Sequence, residues 1–275
     1  MGLTSYAKRF VKPDSRVGRA GRIAKRELRS RAERRSRTGI NLNVGSGHQE
    51  IPGFTSLDLD SDWYRSRGRK FLEYNMIEDS LPCADGTVDN IYCSHVIEHL
   101  PNDVVLRFLG ESHRVLRDGG TLRIACPDAE FLWEVSSFSN DFWGWREPWF
   151  SSPVYSSDPE SKPRRSDFFV REIATPNCAL YRYRRNSVVY DDSIFDSDFD
   201  TALKSVSTDL EFLPDFPGDH INAWSFAKLR NFAESVGFAK IVRSKRGGSV
   251  SKVMQHEDFD RTGPNMSLYA DLVKG

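Results

Sequence analysis

Short stretches of alternating apolar and polar residues recur along the chain, and each predicts a β-strand. The first runs straight into Gly45-Ser46-Gly47, which predicts a strand followed by a tight turn. Apolar residues at helical spacing predict helices over 103–116 and 225–236, the second of which Gly237 would stop. Because strands and helices follow one another, the pattern predicts βαβ units and a parallel, doubly wound α/β sheet. The predicted strands lie at 40–44, 54–59, 88–93, 121–126, 239–244 and 267–273.

Residues 133–219 interrupt this rhythm. They hold 17 of the chain's 33 aromatic residues, together with many prolines and Asp/Ser clusters. Disordered segments are poor in aromatic residues, so the composition argues against a flexible linker. We expect an inserted cap over the carboxyl edge of the sheet, within one domain that spans 40–275.

The first 39 residues form a basic segment in a chain whose net charge is zero. They contain 13 Lys and Arg against three acidic residues, so the rest of the chain carries a balance of −10. One interpretation is a flexible, solvated tail. The alternative is an arm that binds an anionic membrane surface or nucleic acid.

Several classes of protein are excluded or disfavoured by composition. No apolar run is long enough for a transmembrane helix, and the N-terminus lacks the apolar core of a secretory signal. The four cysteines contain no CxxC pair, so neither a zinc knuckle nor a disulfide framework is indicated. No spacing of ligand residues points to a metal. We therefore expect a cytoplasmic protein, free or peripheral at a membrane surface.

The glycine turn after the first strand is the first sign of a ligand site. Such a turn lets backbone approach a ligand closely, but the third glycine of a dinucleotide-binding motif is absent. Asp58 ends the next predicted strand, where a carboxylate can accept hydrogen bonds from ribose hydroxyls. The alternative is an ordinary turn with a surface aspartate.

Further motifs follow in a fixed order, and together they resemble the class I S-adenosylmethionine-dependent methyltransferases. The resemblance covers about 40–132 and 218–275, and it implies a Rossmann-like, mostly parallel sheet whose last strand is antiparallel. It is strongest to predicted methyltransferases of surface-polysaccharide gene clusters, which share an SHVxEHL segment. The motifs are the glycine turn, Tyr74-Asn75-Met76, residues 85–100 with Ser94-His95-Val-Ile-Glu98-His99-Leu, Leu116–Gly120, and His220-Ile-Asn-Ala-Trp224.

The resemblance implies a set of cofactor contacts. Asn75 stands where many relatives have aspartate, although an amide can still pair with the adenine edge. For His95, Glu98 and His99 the alternative is a simple helix start capped by Ser94. The implied contacts are Gly45, Ser46 and Gly47 under the amino-acid moiety, Asp58 at the ribose, Asn75 and Met76 beside the adenine, and Ser94 and His95 toward the methionine part.

Methyl transfer to a hydroxyl needs a proton acceptor, and three residues at the carboxyl edge are candidates. They are His95, Asp128 and His220, with Asp128 also suited to orienting the base or the substrate. The alternatives are a turn after Pro127 for Asp128, and packing under the insert for His220. Together with these candidates, the resemblance to polysaccharide-cluster methyltransferases implies O-methylation of a sugar or glycan hydroxyl. Methylation of another small molecule or of RNA is the alternative, as is a non-catalytic binding module.

Overall fold

The computed structural model describes residues 39–60, 70–139, 141–150, 163–179 and 189–275. Its centre is a seven-stranded sheet in the order β3-β2-β1-β4-β5-β7-β6. All neighbouring strands are parallel except β7, which runs antiparallel to both β5 and β6. The Rossmann-like methyltransferase sheet with an antiparallel last strand is therefore confirmed. The strands are β1 (Ile40–Val44), β2 (Thr55–Asp58), β3 (Leu72–Glu73), β4 (Val88–Ser94), β5 (Leu116–Pro127), β6 (Lys240–Arg243) and β7 (Ser267–Val273).

Helices flank the sheet, and the two that the sequence predicts are present. The Ser225 side chain accepts a hydrogen bond from the Lys228 N–H and begins α6, and Gly237 follows its end at φ 101°. Short 3-10 turns include Ile97–His99, directly after β4. The helices are α1 (Asn102–Val115), α2 (Ala129–Phe138), α3 (Glu147–Phe150), α4 (Arg165–Ile173), α5 (Phe199–Val206) and α6 (Phe226–Ser235).

The main core lies between the sheet and the helices α1 and α6. Val105, Phe108 and Leu109 of α1 and Leu229 of α6 are buried against strand residues such as Ile91. Each such side chain contributes roughly 1.5–3 kcal/mol of hydrophobic stabilisation. This packing fixes the carboxyl ends of β1 and β4, where the candidate site lies.

The aromatic residues of the insert form a second core. Trp143 is fully buried, stacks on Phe168 at 5.2 Å between ring centroids, and donates its indole N–H to Ser136. The cluster also includes Ala223 and Met266, so it packs against residues near the sheet edge. These aromatic side chains thus hold the cap together, while the domain boundaries proposed from the sequence stay predictions.

Three local features differ from the sequence pattern, and the first is that β5 begins at Leu116 and not at 121. The glycine turn leads through residues 48–54 to β2 without a helix, and the short strand β3 has no counterpart among the predicted strands. Residues 1–38 of the basic segment lie outside the described residues, so its role stays a prediction. Within the described part of the chain, no helix has the length and apolar character to cross a membrane.

Candidate active site

A cavity of about 400 Å³ opens at the carboxyl ends of β1, β2 and β4. Its volume lies in the range of small-molecule sites, and its wall is mostly apolar with a few polar groups. A second cavity, of about 480 Å³, lies at the amino ends of β1, β4 and β5 and contains none of the predicted site residues. Six predicted residues line the first cavity, namely Gly45, Gly47, Asp58, Asn75, Met76 and His95.

The glycine turn and Asp58 form one hydrogen-bonded unit. The Gly45 N–H donates to the carbonyl of Leu57 at 2.9 Å, and the Gly47 N–H donates to Asp58 Oδ2 at 2.8 Å. The Leu59 N–H donates to the other carboxylate oxygen at 2.8 Å. The turn therefore fixes the orientation of the Asp58 carboxylate at the cavity wall.

Glycine at position 45 has a steric reason. Its φ is 65°, and a Cβ there would lie 2.3 Å from Cγ2 of Val96, so no other residue fits without movement. Ser46 is 7% exposed and is not one of the described residues that line the cavity. Its hydroxyl lies 3.4 Å from Asp58 Oδ2. Ser46 thus supports the carboxylate from behind.

The segment that comes directly after β3 forms another part of the cavity wall. The Asn75 side-chain oxygen accepts the Ile77 N–H at 3.0 Å, and the Asn75 N–H donates to Asp79 at 2.7 Å. Arg107 donates to the carbonyl of Met76 at 2.7 Å. These bonds fix the segment, so that Asn75 and Met76 present a polar group and an apolar side chain to one cavity.

His95 lies directly after β4 in an unusual backbone conformation. Its φ is 55°, in the left-handed region, and its N–H donates to the carbonyl of Ala125 at 2.7 Å. Its Nδ1 lies 3.1 Å from Oε1 of Glu98, and its Nε2 lies 2.8 Å from Oγ of Ser267. The 3-10 turn that follows begins after Val96 without a side-chain cap, so the alternative in which Ser94 caps a helix does not hold.

Glu98, which the sequence predicts only as a helix-start residue, is a functional candidate in the structure. It is 1% exposed, and its ligand atom groups with those of His99 and His220, all within 4.8 Å of one another. Burial alone would raise the pKa of the Glu98 carboxyl, but the neighbouring His95, His99 and His220 together outweigh burial and lower that pKa to about 2. The sequence feature that could have identified Glu98 is a carboxylate within the mainly apolar segment from Val96 to Leu100.

The three candidate bases do not meet at one point. Asp128 caps α2 by accepting the Phe131 N–H, and it pairs with Arg243 at 2.8 Å. Burial raises the pKa of Asp128. His220 is buried behind His99, and burial lowers its pKa to about 3. Of these candidates, His95 alone is among the described residues that line the cavity.

Comparison with known proteins agrees with this geometry. Residues 55–124 match a family model described as a methyltransferase domain. No curated protein matches the chain.

Several solved structures similar to this chain are described as methyltransferases. An S-adenosylmethionine-dependent methyltransferase from Archaeoglobus fulgidus is 13% identical with a TM-score of 0.43, covering 91% of this chain and 94% of that one. One from Thermotoga maritima, described as a possible histamine N-methyltransferase, is 12% identical with a TM-score of 0.39, covering 94% and 96%. The methyltransferase SibL is 12% identical with a TM-score of 0.39; 86% of this chain aligns, and the chain spans 50% of SibL.

Similarity at this level carries no information about the substrate. The family match does not depend on the similarity to solved structures. The matched range includes Asp58, Asn75, Met76 and His95. Residues 55–124 thus match a methyltransferase domain, and S-adenosylmethionine is the cofactor that this match implies.

Proposed function

We propose that this chain O-methylates a hydroxyl group of a sugar or glycan, with His95 as the general base. The observation that carries the proposal is the position of His95, which lines the same cavity as Asp58 and has a buried carboxylate behind it. S-adenosylmethionine supplies an electrophilic methyl group when bound. The residues of the chain hold the acceptor, exclude water and take up its proton.

The cavity residues suit the cofactor. The fixed Asp58 carboxylate would accept hydrogen bonds from the ribose hydroxyls. The oxygen of Asn75 already accepts the Ile77 N–H, so the amide nitrogen would donate to a ring nitrogen of adenine. Met76 and Ile77 supply an apolar surface for the adenine ring.

The pair of His95 and Glu98 suits proton transfer. Glu98 lies at Nδ1, where a carboxylate orients an imidazole ring and stabilises the imidazolium that forms after proton uptake. Nε2 would then receive the hydroxyl proton, in the place where it now contacts Ser267. Ser267 has a second partner in the carbonyl of Gly263 at 2.7 Å, so it can give up the contact with His95.

The acceptor class rests on the resemblance to methyltransferases of surface-polysaccharide clusters and on the shape of one wall. Phe212, Pro217 and Gly218, at the end of the insert, also line the cavity. An aromatic ring and a proline give a flat apolar surface of the kind that packs against a sugar ring. The buried tryptophan Trp143 belongs to the cap core and plays no part in this surface.

The cofactor site is tested by calorimetric titration of S-adenosylmethionine into the wild type and Asp58→Ala. We expect the variant to bind about 10- to 100-fold more weakly, because hydrogen bonds to a charged group are lost. Asp118→Ala, which removes an exposed carboxylate far from the cavity, is the matched control and should bind normally. Absence of binding in the wild type would favour the non-catalytic binding module.

The acceptor and the base are tested with isotopically labelled S-adenosylmethionine and a panel of nucleotide sugars and glycans. We expect label in a carbohydrate, and a kcat lowered about 10²- to 10⁴-fold in His95→Gln with unchanged cofactor affinity. His256→Gln, a histidine outside the cavity that also pairs with a carboxylate, is the control. Methylation of RNA or of another small molecule, with no carbohydrate labelled, would refute the acceptor class.

A further inference from the structure

Glu98, His99 and His220 come together from two distant parts of the chain. The first two lie in the 3-10 turn after β4, and His220 lies in the segment that returns from the cap to α6. Their three ligand atoms lie within 4.8 Å of one another. In the described part of the chain, this is the one group of histidine, cysteine and carboxylate side chains that is compact enough to hold a metal ion.

Both histidine rings are held in the tautomer that metal binding needs. Nδ1 of His99 lies 3.1 Å from the carbonyl of Asp219, and Nδ1 of His220 contacts the carbonyl of Glu172. A carbonyl can only accept, so each Nδ1 carries the hydrogen, and Nε2 of the neutral ring keeps its lone pair. A backbone carbonyl that holds Nδ1–H is the usual outer partner of a metal-binding histidine.

The Glu98 carboxylate has fewer hydrogen-bond partners than a buried charge normally has. It is 1% exposed, and neither oxygen has an aligned hydrogen-bond donor among the described residues. Nδ1 of His95 lies 3.1 Å from Oε1, and the ligand atoms of His99 and His220 lie within 4.8 Å of the carboxylate. Buried carboxylates are normally hydrogen-bonded, paired or bound to a metal, so a positive ion on the histidine side would complete this site.

We infer that Glu98, His99 and His220 bind a divalent transition-metal ion of the Zn²⁺ class at the inner end of the cavity. Two imidazoles and one carboxylate are typical ligands of such ions and poor ones for Mg²⁺. Ligands of a tetrahedral ion lie roughly 3.4 Å apart, so the three groups would move together by up to about 1.4 Å. His99 also lines the cavity, which gives the remaining coordination position access to a bound molecule.

The inference stands apart from the choice of methyl acceptor, and its test measures metal binding alone. The full-length chain is treated with a chelator, repurified, and titrated with Zn²⁺ and separately with Mg²⁺ by calorimetry. We expect one Zn²⁺ per chain, weak or no Mg²⁺ binding, and a higher midpoint of thermal unfolding with Zn²⁺, because the ion binds the folded state.

Variants then locate the ion. Glu98→Gln and His220→Gln should each bind Zn²⁺ at least about 100-fold more weakly, since each removes a direct ligand. His256→Gln, which removes a histidine next to Asp258, should bind Zn²⁺ as the wild type does. Equal loss of affinity in His256→Gln and Glu98→Gln would overturn the assignment, because the ion would then be bound at the surface.

The wild type decides the question even if a variant fails to fold. Co²⁺ replaces Zn²⁺ in such sites and reports its ligands through its visible absorption. We expect a stoichiometric Co²⁺ spectrum that Zn²⁺ abolishes. A chelator-treated wild type that binds neither ion stoichiometrically and shows no shift in its unfolding midpoint would overturn the inference, whatever the outcome of the cofactor titration.

Discussion

Two buried ionic clusters in this protein differ in how completely their charges are paired. In the first, Arg123 of β5 is fully buried between Asp260 and Asp271. Its guanidinium donates to both oxygens of Asp260, at 2.9 and 2.6 Å, to both oxygens of Asp271 at 3.1 Å, and to the carbonyl of Lys245 at 2.9 Å. Such a network fastens the loop between β6 and β7 to the sheet and leaves no donor for a ligand.

The second cluster surrounds Glu98 and is incomplete. Its carboxylate is as deeply buried as Asp271 but has histidines as neighbours instead of an arginine, and it has no aligned donor among the described residues. The comparison teaches that burial of charge alone does not separate structural from functional sites. The distinguishing property is whether the hydrogen-bonding capacity of the buried groups is used up.

The largest effect on stability is expected from Arg123→Met. The change leaves Asp260 and Asp271 buried without their cation, so the free energy of unfolding should fall by about 3–5 kcal/mol. Urea unfolding measures this change in stability. Arg230→Met is the control, because Arg230 is exposed and its ion pair with Glu234, at 3.9 Å, is long and weak. A loss below about 1 kcal/mol would show that the first cluster does not support the fold.

A matched pair of amide substitutions tests the comparison directly. Asp271→Asn removes a carboxylate that accepts from Arg123, from the Ser249 hydroxyl at 2.7 Å and from the Val250 N–H at 3.2 Å. We expect it to lower the free energy of unfolding by about 2–3 kcal/mol. Glu98→Gln in chelator-treated protein should lower that free energy by less than Asp271→Asn does, because the change removes only the pairing with His95 at 3.1 Å.

Urea unfolding at one pH, with a chelator present throughout, compares the two variants. If Glu98→Gln destabilises the metal-free chain as much as Asp271→Asn does, the Glu98 cluster is a structural network like the first. The distinction between the two clusters would then be wrong.

Local pattern predicts much of this fold. The strands from β1 to β7, apart from β3, follow from alternation, and α1 and α6 follow from helical spacing with Ser225 and Gly237 as end signals. The wall of the candidate cofactor site is equally local, since the glycine turn, Asp58 and the Asn75-Met76 pair each follow a strand. In a parallel sheet, such residues meet at one edge.

The two ionic clusters could not be predicted in this way. Arg123 occupies a position of β5 that alternation alone assigns to a polar face, and the loop that buries it comes from more than 100 positions later in the chain. Glu98 meets His220 because the chain returns from the cap beside the 3-10 turn. A contact set by tertiary packing of an insert leaves no periodic signal in the sequence.

Lys228 offers the smallest and subtlest test, since its charge is paired with dipoles and not with an anion. Its Nζ donates to the side-chain oxygen of Asn222 and to the carbonyl of Ala223 at 2.9 Å, and it lies 4.3 Å from the ring centroid of Trp224. Burial lowers the pKa of Lys228 from 10.5 to about 8. Between these values the unfolded chain keeps a proton that the folded chain releases.

Stability of the wild type should therefore rise with pH from about 8 to 10.5, because the unfolded state binds more protons there. We expect a gain on the order of 1 kcal/mol relative to Lys228→Met, after allowance for the partly exposed side chain. Urea unfolding of both proteins across this range measures it, and Lys240→Met, at an exposed position, should follow the wild type. Parallel profiles for the wild type and Lys228→Met would mean that the two carbonyl groups and the indole ring stabilise the ammonium as well as water does. A buried charge without an oppositely charged partner would then cost no stability at Lys228. The missing partners of Glu98 would therefore no longer be enough to mark it as a functional residue.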